Sequence, residues 1–275
     1  MKLPTCFLSA IVVLTVAFSL PAKATSPEST KILLIGKQPD HPWGTHMYLH
    51  TCEMLAECLR LTEGVETTIA DRWPDNEDDL QNVKTMVVYS SHAAEMLLDS
   101  PHRDEMDRLM KQGVGLVTIH WASSVKEKNF ERLGPRWMSY LGGTWISNVG
   151  LSTSSSPLKQ LNPSHPICRG WSSYELHDEY YLNPVISEKS QPILQVRTND
   201  QEVVVGWAFE REDGGRAYGT TLGHYYRNFQ NEAFRRTLVN AILWSAHLEV
   251  PADGAPVNLS EADLALPPEP EKKTK

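Results

Sequence analysis

Residues 113–124 read GVGLVTIHWASS. Val114, Leu116, Val117 and Ile119 form a near-continuous apolar run, which suits a strand buried on both faces. Such a run ordinarily ends in turn residues, but this one ends in His120, backed by Trp121. A strand buried on both sides implies a sheet with helices on both sides, and the flanking segments agree. KILLIGK (31–37, with 32–37 as its core), VETTIAD (65–71) and TMVVYSS (85–91) read as further strands. THMYLHTCEMLAECLRL (45–61) reads as a helix, with Thr45 as N-cap and Met47, Leu55, Cys58 and Leu59 near one face. PHRDEMDRLMKQG (101–113) reads as a polar helix closed by Gly113, and a further helix over 127–141 is interrupted at Gly134-Pro135. This alternation predicts a doubly wound α/β domain with a mainly parallel sheet. The strand at 32–37 is expected at its centre, flanked by those at 66–70 and 115–120.

The second half is richer in strands: 193–198, 203–209 and 216–223, the last two joined by a hairpin at EREDGGR (210–216). NEAFRRTLVNAILWSAHL (231–248) is amphipathic, with Phe234, Leu238, Ala241, Ile242 and Leu248 along one side. From Pro251 the chain turns rich in Pro, Ala and charge, so residues 251–275 are expected to form a disordered tail.

The N-terminus carries Lys2, then the apolar FLSAIVVLTVAFSL (7–20), then AKA at 22–24. That order is a secretory signal peptide with cleavage after Ala24, which makes the mature protein periplasmic or secreted and without a membrane anchor. Losing Lys2 and Lys23 takes the formal net charge from −8 to −10. So acidic a chain is a poor partner for nucleic acid. Cys52, Cys58 and Cys168 remain; their number is odd and their spacing forms no metal knuckle, so they read as buried thiols. Roughly 225 residues are left, enough for one domain with a large core, taken as 25–250.

In open parallel α/β sheets, ligands bind beyond the carboxyl ends of the strands. Four strand ends here carry histidine: His41 and His46, then His92, then His120, then His224. YELHDEYYLN (174–183) adds His177, Asp178 and Glu179. HMYLH (46–50) has the i, i+4 histidine spacing of helical zinc sites, but Met47 stands where such motifs carry glutamate, so His50 reads as a packed or solvated residue. The first strand is followed by GKQPDHPWG, not G-x-G-x-x-G, so no nucleotide cofactor is expected. No G-x-S-x-G elbow occurs either.

GVGLVTIH, Gly142-Gly143, SHPI (164–167), HDEYY (177–181) and above all GRAYGTTLGHYYRNFQNEAFRRTLVNAILWSA (215–246) resemble the ThuA-like (trehalose utilisation) family, over residues 31–249. The resemblance implies a flavodoxin-like fold related to class I glutamine amidotransferases, and a link to the catabolism of disaccharides oxidised at carbon 3. Where those amidotransferases carry a nucleophilic cysteine, this chain has His120. Their His-x-Glu falls on His224, with Tyr226 in place of the glutamate. Glutamine hydrolysis is therefore not expected. The family pattern carries over to His46, His120, Glu179 and His224, and to His92 less firmly.

Three histidines and a glutamate supply the ligand types of a divalent metal site, zinc first among them. Without metal, His120 and Glu179 can act as an acid/base pair beside a ketone. A third reading is a cleft that only holds sugar. In each case the expected ligand is a carbohydrate or similar small molecule, with Trp43, His92, Trp121, Tyr180 and Tyr225 as its contacts.

Overall fold

The computed structural model describes residues 29–147 and 149–270. The signal peptide read at 1–24 and the last five residues of the tail lie outside the described residues.

Nine strands form one sheet. In chain order they are β1 (Thr30–Ile35), β2 (Val65–Ala70), β3 (Val83–Val88), β4 (Gly115–Ile119), β7 (Leu151–Gln160), β8 (Tyr174–Tyr181), β10 (Gln191–Thr198), β11 (Gln201–Glu210) and β12 (Arg216–Thr220). Their spatial order is β2-β1-β3-β4-β12-β11-β10-β7-β8. The first five are parallel and follow the flavodoxin order, in which the chain turns back past β1 after β2. The remaining four add an antiparallel extension. A small sheet of β5 (Ser124–Lys126), β6 (Gly143–Ser147) and β9 (Val185–Ile186) stands apart from it.

The apolar run of β1 divides by strand parity. Ile32 and Leu34 join the core under α1 (Tyr48–Arg60) and α6 (Glu232–Ser245). Leu33 and Ile35 join the opposite core, under α2 (Ala93–Leu98), α3 (Arg103–Lys111) and α4 (Phe130–Leu141). Both faces are thus covered, which is why β1 and β4 alternate no polar residues. Gly115 opens β4 because α6 lies against it; a Cβ there would sit 2.3 Å from the Ser245 carbonyl oxygen. Two short helices, α5 (Tyr226–Phe229) and α7 (Glu261–Leu264), complete the chain. The hairpin between β11 and β12 is present, and the three cysteines are free and buried, both as expected.

Four expectations need correction. First, β1 lies between β2 and β3, next to the sheet edge, and β4 is one strand further on. Apolar content identifies strands but does not rank them across a sheet. Second, α1 starts at Tyr48. Thr45 does not cap it; its hydroxyl donates to the Pro42 carbonyl, and His46 at φ +49° keeps the chain out of the helix. Third, α4 runs unbroken through Pro135. That residue is exposed, so the Glu131 carbonyl deprived of its donor can turn to water. Gly134 is kept small by the Phe130 ring above it.

Fourth, the tail is ordered through Leu266. Ala255 and Val257 are fully buried, and Leu264 and Leu266 pack on the core. Its few apolar residues are helped by polar groups of α6. Asn240 Oδ1 accepts from the Ala255 N–H, Arg236 donates to the Ala255 carbonyl, and Arg235 donates to that of Val257. Composition of the tail alone does not reveal partners supplied from elsewhere.

Candidate functional site

Three parallel-strand ends and one antiparallel strand meet at the carboxyl edge of the sheet. The loop after β1 brings Asp40, His41 and His46. The end of β4 brings His120, the segment after β12 brings His224, and β8 brings Glu179 and Tyr181. His46 and His120 both hold left-handed backbone, at φ +49° and +55°. Non-glycine residues avoid that region, and strain of this kind persists where the surrounding structure fixes it.

The three imidazoles converge. His46 Nε2 lies 3.0 Å from His224 Nδ1 and 3.1 Å from His120 Nε2, and the last two are 3.3 Å apart. The outward nitrogens set the tautomers. His120 Nδ1 donates to the Thr221 carbonyl at 2.7 Å, so its Nε2 carries a lone pair. His46 Nδ1 faces the Tyr48 hydroxyl at 2.7 Å, which can donate or accept, and Asp40 Oδ1 at 3.3 Å, which only accepts. In the tautomer with its proton on Nδ1, directed to Asp40, His46 Nε2 also presents a lone pair. Burial opposes the Asp40 charge, yet Lys37 and His41 outweigh it and hold the carboxyl well below its ordinary value.

Burial, followed by repulsion from His41 and His224, holds His46 down at about 3. Burial and then His41 hold His224 at about 4, and burial and then His46 hold His120 well below 6.5. The cluster is therefore neutral at physiological pH, the form in which imidazole binds metal. Lone pairs so close together repel unless a ring proton or a cation lies between them. Ligand nitrogens around a tetrahedral zinc ion at 2.0–2.1 Å lie about 3.3 Å from one another. The observed separations fit that spacing, and the carboxylate behind His46 and the carbonyl behind His120 are the outer partners such ligands use. Asp40, His41 and His46 form a second, more exposed grouping that shares His46.

Glu179 Oε1 stands 3.8 Å from His224 Nδ1 and 3.9 Å from His120 Nε2, too far for a hydrogen bond and near enough to act on the same ligand. Burial raises its carboxyl above the ordinary value. The Tyr181 hydroxyl reaches His120 Nε2 at 3.0 Å. Asp178, fully buried, accepts backbone N–H groups from Gly223 (2.7 Å), His224 (3.0 Å) and Glu179 (2.9 Å). One carboxylate thus ties β8 to the segment after β12, and with it Glu179 to His224. Burial pushes Asp178 up to about 7 against the pull of those N–H groups.

The cluster opens into a cavity of about 460 Å³, walled by Trp121, Trp145, Tyr181, His92 and the turn at 126–128. Of the expected ligand contacts, His92 and Trp121 line it. Trp43 instead packs against the core. Tyr180 is fully buried, its hydroxyl bonded to the Leu176 carbonyl. Tyr225 meets His224 edge to face, beneath Arg227, and does not line the cavity. Strand parity explains the exchange: on β8, residues 179 and 181 share one face and 178 and 180 the other. Reading HDEYY as a strand selects Tyr181 with Glu179. Asp40, Tyr48 and Trp145 had no such local signal. His50 lies outside the cluster, near Glu53 and Tyr226, as expected.

The family model for ThuA, described as trehalose utilisation, matches residues 31–245. The chain belongs to the ThuA family. Among solved structures, a ThuA-like protein from Bacteroides uniformis superposes with a TM-score of 0.60 at 18% identity, over 82% of this chain and 95% of that one. A ThuA-like protein from Parabacteroides merdae gives 0.63 at 15% identity, over 87% and 100%. At these identities the likeness carries the fold. A glutamine amidotransferase from Thermotoga maritima aligns at 0.47 and 10% identity, over 79% and 96%. No curated protein matches the chain. In this ThuA member the β4 end that delivers His120 holds no cysteine; the three described cysteines are buried elsewhere.

Proposed function

We propose that this protein is an exported, sugar-active enzyme in which His46, His120 and His224 hold a divalent metal ion, zinc first, and Glu179 moves a proton. The reading rests on one observation: three imidazole nitrogens within 3.0–3.3 Å of one another, with the outer nitrogen of His120 held as a donor to the Thr221 carbonyl and that of His46 backed by Asp40. When bound, such an ion supplies Lewis acidity toward a carbonyl or hydroxyl oxygen. The family's described role in trehalose utilisation directs the substrate toward a disaccharide, and the resemblance read from the sequence directs it toward the 3-keto form.

The chain's own groups supply the rest. Glu179, raised by burial, exchanges a proton with the carbon or oxygen beside the reacting carbonyl. The Tyr181 hydroxyl donates to a substrate oxygen. The Trp121 ring offers a face for a pyranose.

The test is metal analysis of the mature protein, then turnover of 3-keto-disaccharides with and without chelator. About one metal per chain and chelator-sensitive turnover are expected. Turnover that persists in chelator removes the metal from the reaction; binding without turnover makes the protein a sugar carrier. Export rests on the Lys2, apolar run and AKA order. The mass of the protein from its host should place the N-terminus at Thr25.

A further inference from the structure

Trp121 touches two groups of different character. Its ring centroid is 5.4 Å from that of His46, in the imidazole cluster, and 4.6 Å from that of His92. His92 is 7% exposed and lines the same cavity, yet its Nε2 is buried without a hydrogen-bond partner. A buried ring nitrogen left unpaired in a cavity wall costs stability unless a ligand satisfies it.

Next to it stand Lys126, the last residue of β5, and Lys128, on the turn that follows. The turn is held in place: Glu95 Oε1 accepts both the Lys126 backbone N–H at 3.0 Å and Asn129 Nδ2 at 2.9 Å. The lysine ammonium groups are not so held. Among the described residues neither has a carboxylate within 4 Å, although Glu127 lies between them and lines the cavity too. Lys31, Lys84, Lys111 and Lys159 also lack a carboxylate partner among the described residues, but only Lys126 and Lys128 stand on the wall of this cavity, beside an unpaired buried imidazole.

We propose that His92, Lys126 and Lys128 form a subsite for an anionic group, a carboxylate or a phosphate, on the sugar that this cleft accepts. The proposal rests on the cleft being the sugar site, as above, but not on a metal being bound. The sugar ring lies along Trp121, its acidic group meets the ammonium groups and His92 Nε2–H, and its other end reaches Glu179 and the histidines. A charged oxygen suits this wall better than a hydroxyl does. It draws on two cations at once, and charge-assisted hydrogen bonds are about twice as strong as neutral ones.

Intrinsic tryptophan fluorescence reads binding directly, since Trp121 and Trp145 line the cavity. The probes are glucose, glucuronate and glucose 6-phosphate, each titrated into the metal-loaded and the chelator-stripped full chain. At least one acidic probe should bind about tenfold more tightly than glucose, and high salt should erase the difference. Which acidic probe it is separates carboxylate from phosphate. In Lys126→Gln/Lys128→Gln the preference should fall to within about twofold, with glucose binding unchanged; both positions are exposed, so folding is not at stake.

A preference that survives the double substitution but vanishes on chelation would mean that the metal, not this wall, takes the acid. That result, equal binding of all three sugars, or no binding by any of them overturns the proposal. A preference that persists in the stripped chain supports it even if the metal chemistry proposed above fails.

Discussion

Asp40→Asn tests the support behind the histidine cluster. The carboxylate touches His46 through one oxygen at 3.3 Å and shares that oxygen with His41 at 2.7 Å, while Lys37 Nζ holds the other at 2.7 Å. The asparagine keeps the shape and removes the charge. Losing an outer partner of a metal-binding histidine typically costs 10- to 100-fold in affinity. Here the contact is long, and the carboxylate is 27% exposed, so solvent screens it. The loss should therefore fall at the lower end, about tenfold or about 1.4 kcal/mol. Tyr48→Phe, which removes a buried hydroxyl 2.7 Å from the same nitrogen, should cost about as much again. Competition with a chromophoric zinc chelator at pH 7 measures both, with His46→Ala as the reference for losing a ligand outright. Lys37 and His41 also lose their charged partner, so the melting temperature of the metal-free protein should fall as well, and affinity is compared well below it. Zinc affinity in Asp40→Asn within twofold of the parent, with His46→Ala severely impaired, would refute the assignment of Asp40 as the group that orients His46.

His120→Ala should remove bound metal and turnover together while the far-ultraviolet spectrum stays native; loss of neither would take His120 out of the site. Val257→Ala should destabilise the protein by about 1–2 kcal/mol, since the side chain is fully buried, and so lower the melting temperature by about 2–8 °C; an unchanged midpoint would mean that the tail is not docked in solution. In acid, burial holds His46 at about 3 and His92, His165 and His224 at about 4, whereas in the unfolded chain they take up protons near 6.5. The unfolded state therefore binds more protons between these values, and stability falls as pH drops below about 6.5. Asp178, raised to about 7, opposes this with one proton only. Urea midpoints of the metal-free protein should decline from pH 7 to pH 5; a flat or rising profile would contradict the buried, neutral histidines.

The parallel half of the fold was legible because β1, β3 and β4 are buried on both faces and write near-continuous apolar runs. Its histidines were legible because they follow those runs directly. LSTSSSPLKQ, the β7 strand, carries no such signal. Its inner residues satisfy neighbours through hydroxyls: Ser152 and Ser154 bond Thr198, and Ser156 accepts from the Arg197 N–H. A strand that uses side-chain oxygens where its neighbours use the backbone ladder reads as a polar loop. Its partner β8 could not then be assigned a face, and Tyr180 was expected where Tyr181 stands. The docked tail stayed hidden for a related reason: Arg235, Arg236 and Asn240, which hold it, sit on a helix that reads correctly without it.

The antiparallel extension divides the site by origin. All three imidazoles belong to the parallel half, on the loop after β1 and at the ends of β4 and β12. Glu179 and Tyr181 arrive on β8, the outermost strand at the far side of the sheet. The imidazole cluster is thus set in the interior of the fold, where small changes are felt throughout, and the carboxylate and phenol beside it sit on an edge strand that evolution can lengthen, shift or rebuild. Relatives that keep the histidines while exchanging the β7–β8 hairpin would present the same imidazole cluster to different ligands.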